Sequence, residues 1–368
     1  MSSRDEHDGG QRVTCVICLE EFVWDRRQVF RRNAQGIPEA VSLPAGDSPR
    51  WNAEVNGTVI RCPNRIGGDA HYFPVGFVLK DRPIVIGLVG NSSAGKTCLL
   101  AAMSGEIDRQ RLGSRGLQTV PINLTEHSQY RAAVVDPFYS RGTAPPHTNV
   151  TDLVRYADSV LLTSSSGSSF PLVFFDAAGE QLKGLHGDEV ALRFLHRVDG
   201  LIFVVDPTLA LEGMRRGSDG GIIDDPTYAA TIAGLRDRPS EGNRRRLSIP
   251  AALAITKSDL LRFESPVDQW LSRPAPPGVD VGLLHRESRD AYAFLYQRRA
   301  TAWLSPVEQF EQCSLHFVSA SGSSFMPPAG DGELGRFARP ARPRRVLEPL
   351  VTILAALGVI DDHLVRGS

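Results

Sequence analysis

Short apolar runs, each bounded by polar or turn-forming residues, recur along most of the chain. Four of them, at 84–89, 201–206, 251–256 and 315–319, have the length and largely apolar character of strands buried on both faces of a parallel sheet. A helical pattern follows the first run, near 96–104. This alternation of strand and helix predicts an α/β fold, with a mixed but mainly parallel sheet and helices on both of its faces.

Two further segments, at 159–163 and 172–176, predict a hairpin, because the Ser- and Gly-rich stretch 164–169 between them is typical of a turn. The segment 346–357 is apolar on nearly all sides and predicts a closing helix that packs into the core. By contrast, residues 105–150 show no regular pattern, and we expect a long irregular stretch there.

The remaining parts of the chain depart from this pattern. Residues 1–10 are polar and are expected to be disordered, and residues 11–80 contain short strand-like pieces with few large apolar side chains. We therefore expect a small separate module at 11–80. The main domain would follow at 81–368, with insertions at about 207–249 and 262–312.

Charge and composition narrow the class of protein. The formal net charge is −1, so bulk electrostatics favour no particular type of partner. No uninterrupted apolar run reaches 18 residues, and the first ten residues are polar and acidic, so we expect neither a membrane span nor a signal peptide. The five cysteines, an odd number, favour a reducing cytoplasm.

Two arginine clusters, at 244–246 and 336–345, lie in loop-like segments, the second within a Gly-, Pro- and Arg-rich stretch at 321–345. We interpret both as solvated loop charges, with a partner-docking surface as the alternative. Because residues 11–80 balance Arg with acidic residues and show no aromatic–basic stripe, the pattern argues against nucleic acid as a partner.

A phosphate-binding motif follows the first apolar run. The sequence GNSSAGKT at 90–97 matches G-x-x-x-x-G-K-[ST] and stands between a strand and a helix. Glycines let such a loop curl around phosphate oxygens, Lys96 adds a positive charge, and the Thr97 hydroxyl can ligate Mg²⁺. The predicted nucleotide contacts in this segment are Gly90, Asn91, Ser92, Ser93, Ala94, Gly95, Lys96, Thr97 and Cys98.

Two later strand ends favour guanine as the base. Thr256-Lys257-Ser258-Asp259 ends one predicted strand, and a carboxylate at Asp259 can accept hydrogen bonds from guanine N1–H and N2–H₂, which adenine cannot donate. The Lys257 stem can cover the base. At the end of the last strand, Ser319, Ala320 and Ser321 would meet guanine O6, with the backbone N–H of Ala320 as the expected donor.

A further motif, Phe174-Phe175-Asp176-Ala177-Ala178-Gly179, predicts the response to the γ-phosphate. Asp176 can hold Mg²⁺ through water, and the N–H of Gly179 can contact the γ-phosphate. Glu180 and Gln181 follow where a water-orienting glutamine is expected. Glu180 could act as a base or simply begin a helix, and Gln181 could replace the missing glutamine.

A loop that responds to the bound nucleotide, which we call the first switch, would need a hydroxyl that ligates Mg²⁺. The segment 141–148 is the best location, with Thr148 favoured and Thr143 second. Arg141 could supply a charge to the transition state, or it could be a solvated loop arginine.

Taken in order, GNSSAGKT, DAAGE, TKSD and SAS resemble the motif set of Ras-like and translation-factor-related GTPases over about 84–321. The N-terminal cysteines together with FFDAAGE and DGLIFVVDP resemble more narrowly the bacterial double-GTPase family of predicted GTPase-associated systems. The resemblance implies a small-GTPase-like fold, GTP and GDP with Mg²⁺ as ligands, and a regulatory GTPase that works with other components.

The cysteines of the N-terminal module have the spacing of a metal site. Cys15 and Cys18 form a C-x-x-C knuckle, and Cys62 with His71 could complete a Cys₃His zinc site in a zinc-ribbon-like module. The second knuckle lacks a tight C-x-x-C, because Arg65 stands where another cysteine would be. A redox C-x-x-C and plain buried thiols remain as alternatives.

Two functions remain open on these residues. The first is a GTP-hydrolysing switch, slow without a partner, whose loops at 141–150 and 176–187 would meet a protein effector or a second GTPase. The second is a GTP-dependent scaffold that scarcely hydrolyses, which Glu180 in place of Gln would favour.

Overall fold

In the computed structural model, the described residues are 11–18, 20–25, 28–44, 49–55, 57–66, 69–78, 82–91, 93–146, 154–177, 194–211, 214, 226–238, 240–241, 244–328, 330 and 333–367. The expected disordered tail at 1–10 lies outside them.

The N-terminal region is built from short antiparallel strands. A two-stranded sheet pairs β1 with β2, and a four-stranded sheet has the order β4-β3-β5-β6. Glu21, on β2, forms an ion pair of 2.8 Å with Arg197. The elements of this region are β1 (Gln11–Thr14), β2 (Glu21–Trp24), β3 (Val29–Arg32), β4 (Pro38–Val41), α1 (Pro49–Val55), β5 (Thr58–Ile66) and β6 (Asp69–Pro74).

The rest of the chain forms an α/β layer structure. Its strands are β7 (Ile84–Val89), β8 (Leu117–Pro121), β9 (Val154–Ser164), β10 (Ser169–Ala177), β11 (Gly200–Val205), β12 (Ala251–Ile255), β13 (Val279–Asp280), β14 (Cys313–Phe317), β15 (Phe325–Met326), β16 (Arg336–Phe337) and β17 (Val365–Arg366). Its helices are α2 (Lys96–Asp108), α3 (Leu124–Tyr130), α4 (Asp136–Arg141), α5 (Pro207–Ala210), α6 (Pro226–Arg236), α7 (Val267–Ser272), α8 (Val281–Gln297), α9 (Ser305–Gln309) and α10 (Glu348–Ala356).

Within the described residues, the central sheet has seven strands in the order β14-β12-β11-β7-β10-β9-β8. The five strands from β14 to β10 are parallel, and β9 and β8 add on antiparallel. Every residue of β7, β11 and β12 is buried, as the continuous apolar runs predict for strands covered on both faces. The predicted mixed, mainly parallel sheet is confirmed.

Helices cover both faces of this sheet, as predicted. One face packs against α2 and α10, where Leu99 and Leu350 join the core with Ile202. The opposite face packs against α6 and α8, where Tyr228 and Phe294 are buried. Because parallel strands all end at the same edge of a sheet, the loops that follow β7, β11, β12 and β14 are brought together.

Two buried charge clusters tie the helices to this frame. Glu287 of α8 accepts from His316 of β14 (Oε2 to Nδ1, 2.9 Å) and from Arg345 (Oε2 to Nη2, 2.5 Å). Burial alone would raise the pKa of Glu287, but the charges of His316 and Arg345 outweigh it, so this pKa lies below its ordinary value. Arg115 Nη2 donates to both carboxylate oxygens of Glu348 in α10, at 2.8 Å (Oε1) and 3.1 Å (Oε2).

The expectation of an irregular stretch at 105–150 is wrong. The described part of this stretch contains β8, α3 and α4, with a π-helical turn (Arg131–Val135) between the two helices. Each piece is only five to seven residues long, which is too short for a clear period. The interpretation of the second arginine cluster as wholly solvated is also wrong at Arg345, because its side chain is buried.

None of the helices among the described residues is both long enough and apolar enough to span a membrane.

Candidate nucleotide-binding site

The loop after β7 has the backbone of a phosphate-binding turn. Ser93 and Gly95 both take positive φ angles, 61° and 93°, and α2 begins immediately afterwards at Lys96. At Gly90, an added Cβ would lie 2.7 Å from the carbonyl oxygen of Val204 on the neighbouring strand. The close approach of the two backbones explains why glycine is needed there.

Lys96 turns back over this loop. Its side chain is largely buried, and Nζ donates to the carbonyl oxygens of Gly90 (2.7 Å) and Asn91 (2.9 Å). A positive charge is therefore held at the N-terminus of α2, where the helix dipole also favours an anion. This combination fits the phosphate groups of a nucleotide.

The TKSD segment is fastened to the same loop. Thr256 Oγ1 donates to the carbonyl oxygen of Ala94 at 2.7 Å, and Lys257 Nζ donates to that of Ser93 at 3.0 Å. The two segments lie at the ends of β12 and β7, which are separated in the sheet by β11. The phosphate loop and the TKSD segment therefore form one connected structure.

Asp206, at the end of β11, is a site residue that sequence reasoning missed. Its carboxylate is buried, and Oδ2 pairs with Lys257 Nζ at 2.5 Å. Oδ1 accepts from the backbone N (2.9 Å) and Oγ1 (2.7 Å) of Thr208, which caps α5. An Asp after an apolar run and before Pro207 indicates a helix cap, so the sequence signal pointed to structure alone.

The two segments predicted to read guanine are in direct contact. Ser319 Oγ donates to Asp259 Oδ1 at 2.7 Å, and the backbone N of Gly322 donates to Ser319 Oγ at 3.1 Å. Ser258 N also donates to the carbonyl oxygen of Val318 at 3.2 Å. The Asp259 carboxylate is half-buried and stands where both strand ends meet.

The other predicted site residues are placed as follows. Asp176 pairs in register with Leu88 at the carboxyl end of β10, beside the phosphate-loop strand. Thr143 is half-buried in a bridge with Arg336, and Arg141 is exposed at the end of α4. Cys98 is half-buried in α2, Ala320 is half-buried, and Ser321 is buried. Five predicted residues lie outside the described part of the chain: Ser92, Thr148, Gly179, Glu180 and Gln181.

A comparison with protein families decides the assignment. The sequence model of one family, Double-GTPase 2, matches residues 84–294, which is more than half of the chain. The chain belongs to the Double-GTPase 2 family. The match includes the phosphate loop and the TKSD segment of this double-GTPase, whereas Ser319 lies beyond it. No curated protein matches the chain in sequence.

Solved structures similar to this double-GTPase include a signal recognition particle receptor SRb-GTP/SRX complex from Chaetomium thermophilum. It is 16% identical with a TM-score of 0.30, and the match covers 66% of this chain and 93% of that one. The Arl6 BBS3 small GTPase from Trypanosoma brucei is 11% identical with a TM-score of 0.31, covering 76% and 99%. The Ski7 GTPase-like domain from S. cerevisiae, bound to GDP and inorganic phosphate, is 11% identical with a TM-score of 0.36, covering 79% and 52%. At these TM-scores the family assignment rests on the sequence match.

The N-terminal region of this double-GTPase contains a second candidate site. The ligand atoms of Cys15, Cys18, Cys62 and His71 all lie within 4.8 Å of one another, and the three thiols are buried. Cys18 Sγ is 3.6 Å from Cys62 Sγ, and Cys15 Sγ is 3.5 Å from His71 Nδ1. Backbone N–H groups of Ile17 and Cys18 donate to Cys15 Sγ at 3.4 and 3.5 Å.

The donor set and these spacings fit a tetrahedral zinc ion. Ligands at about 2.0–2.3 Å from Zn²⁺ lie about 3.5–3.8 Å from one another in a tetrahedron. The Cys18–Cys62 and Cys15–His71 separations match this spacing. Hydrogen bonds with the thiols of Cys18 and Cys62, together with burial, raise the pKa of the Cys15 thiol. Zinc is bound by deprotonated thiols, so metal binding at this cluster would release protons.

Proposed function

We propose that this double-GTPase is a GTP-binding, Mg²⁺-dependent, GTP-hydrolysing molecular switch that regulates a multi-component bacterial system. One observation carries the proposal: the Asp259 carboxylate contacts Ser319, while Thr256 and Lys257 of the same segment bind the phosphate loop. A base reader and a phosphate binder are thus held at one sheet edge, as a nucleoside triphosphate requires. The carboxylate selects guanine, because adenine offers it no matching pair of hydrogen-bond donors.

In this proposal the loop N–H groups and Lys96 bind the phosphates. Thr97, Asp176 and Thr148 would hold Mg²⁺, which neutralises charge on the phosphate oxygens when it is bound. Thr97 lies in the first turn of α2, and Asp176 lies near the end of β10 next to β7, so two of the three come from elements that flank the loop. Gly179 would contact the γ-phosphate.

Hydrolysis transfers the γ-phosphoryl group to water. The bond between the γ-phosphorus and the β–γ bridging oxygen breaks, a P–O bond to water forms, and GDP and phosphate leave. Glu180 or Gln181 would orient the water, and Arg141 would offset negative charge that builds up in the transition state. With Glu in place of the usual Gln, we expect slow turnover in the absence of a partner.

The partner-facing surface would be the loops at 141–150 and 176–187, which would order with GTP and relax after hydrolysis. The partner would be a protein effector or a second GTPase. Glu180 also supports a second candidate function, a GTP-dependent scaffold or assembly module with little hydrolysis. Multiple-turnover phosphate release, measured with saturating GTP and Mg²⁺, separates the two.

Calorimetric titration of GTP and of ATP, in Mg²⁺, tests the base assignment. Wild type should bind GTP at least about 100-fold more tightly than ATP, and Asp259→Ala should lose this preference. Ser265→Ala serves as the matched control, because Ser265 lies in the same segment between β12 and α7 as Asp259 but outside the proposed site. Equal binding of ATP, or an unchanged preference in Asp259→Ala, would show that this is another kind of phosphate-loop NTPase.

We propose further that residues 11–80 form a zinc module ahead of a GTPase domain at 81–368. Cys15, Cys18, Cys62 and His71 would hold one Zn²⁺, which would stabilise a region of short strands. Free thiols are compatible with a cytoplasmic location. Metal analysis should find one zinc per chain in wild type and none in Cys62→Ser, while Cys313→Ser keeps it. Zinc retained by Cys62→Ser, or absent from wild type, would refute the site.

A further inference from the structure

A proline-containing segment, residues 335–344, connects two parts of the nucleotide site that are distant in sequence. We refer to residues 335–344 as the strap. One of its ends lies against residues 319–321, which we call the base loop. Ser319 and Arg344 exchange two backbone hydrogen bonds (3.0 and 2.8 Å), and Arg342 N donates to the carbonyl oxygen of Ser321 (3.0 Å). The base loop is therefore one strand of a short antiparallel pair.

The other end of the strap binds residues 142–144, which lie at the start of the expected first switch, 141–148. Phe337 N donates to the carbonyl oxygen of Gly142 at 2.7 Å, and Ala144 N donates to that of Gly335 at 2.8 Å. Thr143 and Arg336 form an antiparallel bridge between these two bonds. Both ends of the strap are thus held by backbone pairing.

Further contacts hold the junction between the strap and residues 142–144 in place. The Phe337 ring packs edge-on against that of Phe138 in α4, with centroids 5.7 Å apart. Gly142 has a φ of 67°, and an added Cβ would lie 2.6 Å from the carbonyl oxygen of Arg339. From α4, Tyr139 Oη donates to the carbonyl oxygen of Ala102 in α2, the helix that begins at the phosphate loop (2.9 Å).

The span between the two junctions is short and stiff. Pro340 and Pro343 each fix one backbone dihedral, and Ala341 N donates to the carbonyl oxygen of Phe138 at 3.2 Å. A stiff connection with both ends paired transmits a displacement of one end to the other, because the closely packed junctions have little room to absorb it.

We propose that the strap couples recognition of the base to the first switch, with Phe337 as the positioning residue at the switch end. The inference rests on the proposed function, since it takes 319–321 as the base loop and 142–144 as the start of the switch. Guanine contact and γ-phosphate contact then strengthen each other, and their contributions to affinity are not additive.

Calorimetry with four ligands, GTP, GDP, ITP and IDP, in Mg²⁺, measures this coupling. The inosine nucleotides lack the exocyclic amine from which Asp259 is proposed to accept a hydrogen bond, so they alter only the base contact. The quantity of interest is the ratio of the Kd values for GDP and GTP, divided by the ratio of the Kd values for IDP and ITP. For wild type we expect a quotient of at least about 5, the lower end of typical coupling. For Phe337→Ala we expect a quotient below about 2.

Tyr296→Ala is the matched control, because this exposed aromatic side chain lies on α8, outside the strap and both of its junctions, and the quotient should stay at the wild-type value. If Phe337→Ala does not fold, Pro340→Gly loosens the strap at an exposed position and should also lower the quotient. A wild-type quotient of 1 would overturn the inference, as would equal weakening of all four ligands in the variant. Failure of wild type to bind any of the four would instead overturn the proposed function.

Discussion

The Asp206–Lys257 ion pair offers a direct test of how the nucleotide site is held together. The aspartate side chain is 3% exposed and the lysine side chain 35% exposed. Asp206→Asn keeps an oxygen for the Thr208 cap but removes the charge that faces the ammonium group. Loss of one partner costs about 3–5 kcal/mol in a buried pair and about 0–1 kcal/mol in an exposed pair. For this half-buried pair we expect about 2 kcal/mol.

Because Lys257 also binds the phosphate loop, most of this loss should affect nucleotide affinity. A loss of 2 kcal/mol corresponds to a roughly 30-fold higher Kd for GTP, measured by calorimetry. Thr208→Val removes the hydroxyl that Asp206 accepts from but leaves the ion pair, so its Kd should change less than about threefold. An Asp206→Asn protein that binds GTP like wild type, or a Thr208→Val protein that is equally impaired, would refute the reasoning.

Two further substitutions test the loop and the buried charges. Gly90→Ala places a Cβ against the Val204 carbonyl oxygen, so GTP titration should show binding at least about tenfold weaker, whereas Gly113→Ala, with open space around it, should have no effect. Glu287→Gln should cost about 3 kcal/mol in urea unfolding at pH 7, because Arg345 loses its buried partner. Since the pKa of Glu287 lies below its ordinary value, wild type loses this stability as the pH falls below about 5, and the gap should narrow. A gap that is the same at pH 7 and pH 4 would contradict the account.

The core strands could be predicted from sequence because burial on both faces leaves a simple pattern. Runs such as IVIGLV and AALAI have few other uses in a folded protein, and their ends fix where the motifs lie. The hairpin was also predictable, since the segment that joins β9 to β10 consists of serines and a glycine, which favour turns. The C-terminal helix was predictable for the same reason as the strands.

Elements that depend on tertiary contacts could not be read in this way. Strand β8 has only five residues, with Leu117 and Thr119 facing inward, and it exists through pairing with β9. Asp206 carries two roles in one side chain, and only the folded positions of Lys257 and Thr208 reveal both. The strap reads as a Gly-, Pro- and Arg-rich loop, because its hydrogen-bond partners come from segments far away in the chain.

The Arg115–Glu348 pair joins residues 233 positions apart, so it can form only when nearly the whole chain has been synthesised. Strand β7 gains its neighbour β11 only after residue 205 has been synthesised, and α10 covers the sheet later still. Long-range pairing of this kind slows folding and leaves apolar strands uncovered on the nascent chain. The phosphate loop is therefore translated early, but the nucleotide site is completed late. The base loop gains its pairing partner only when residue 344 has emerged from the ribosome. We therefore expect the nascent chain to expose apolar strands long enough to need chaperones during its synthesis.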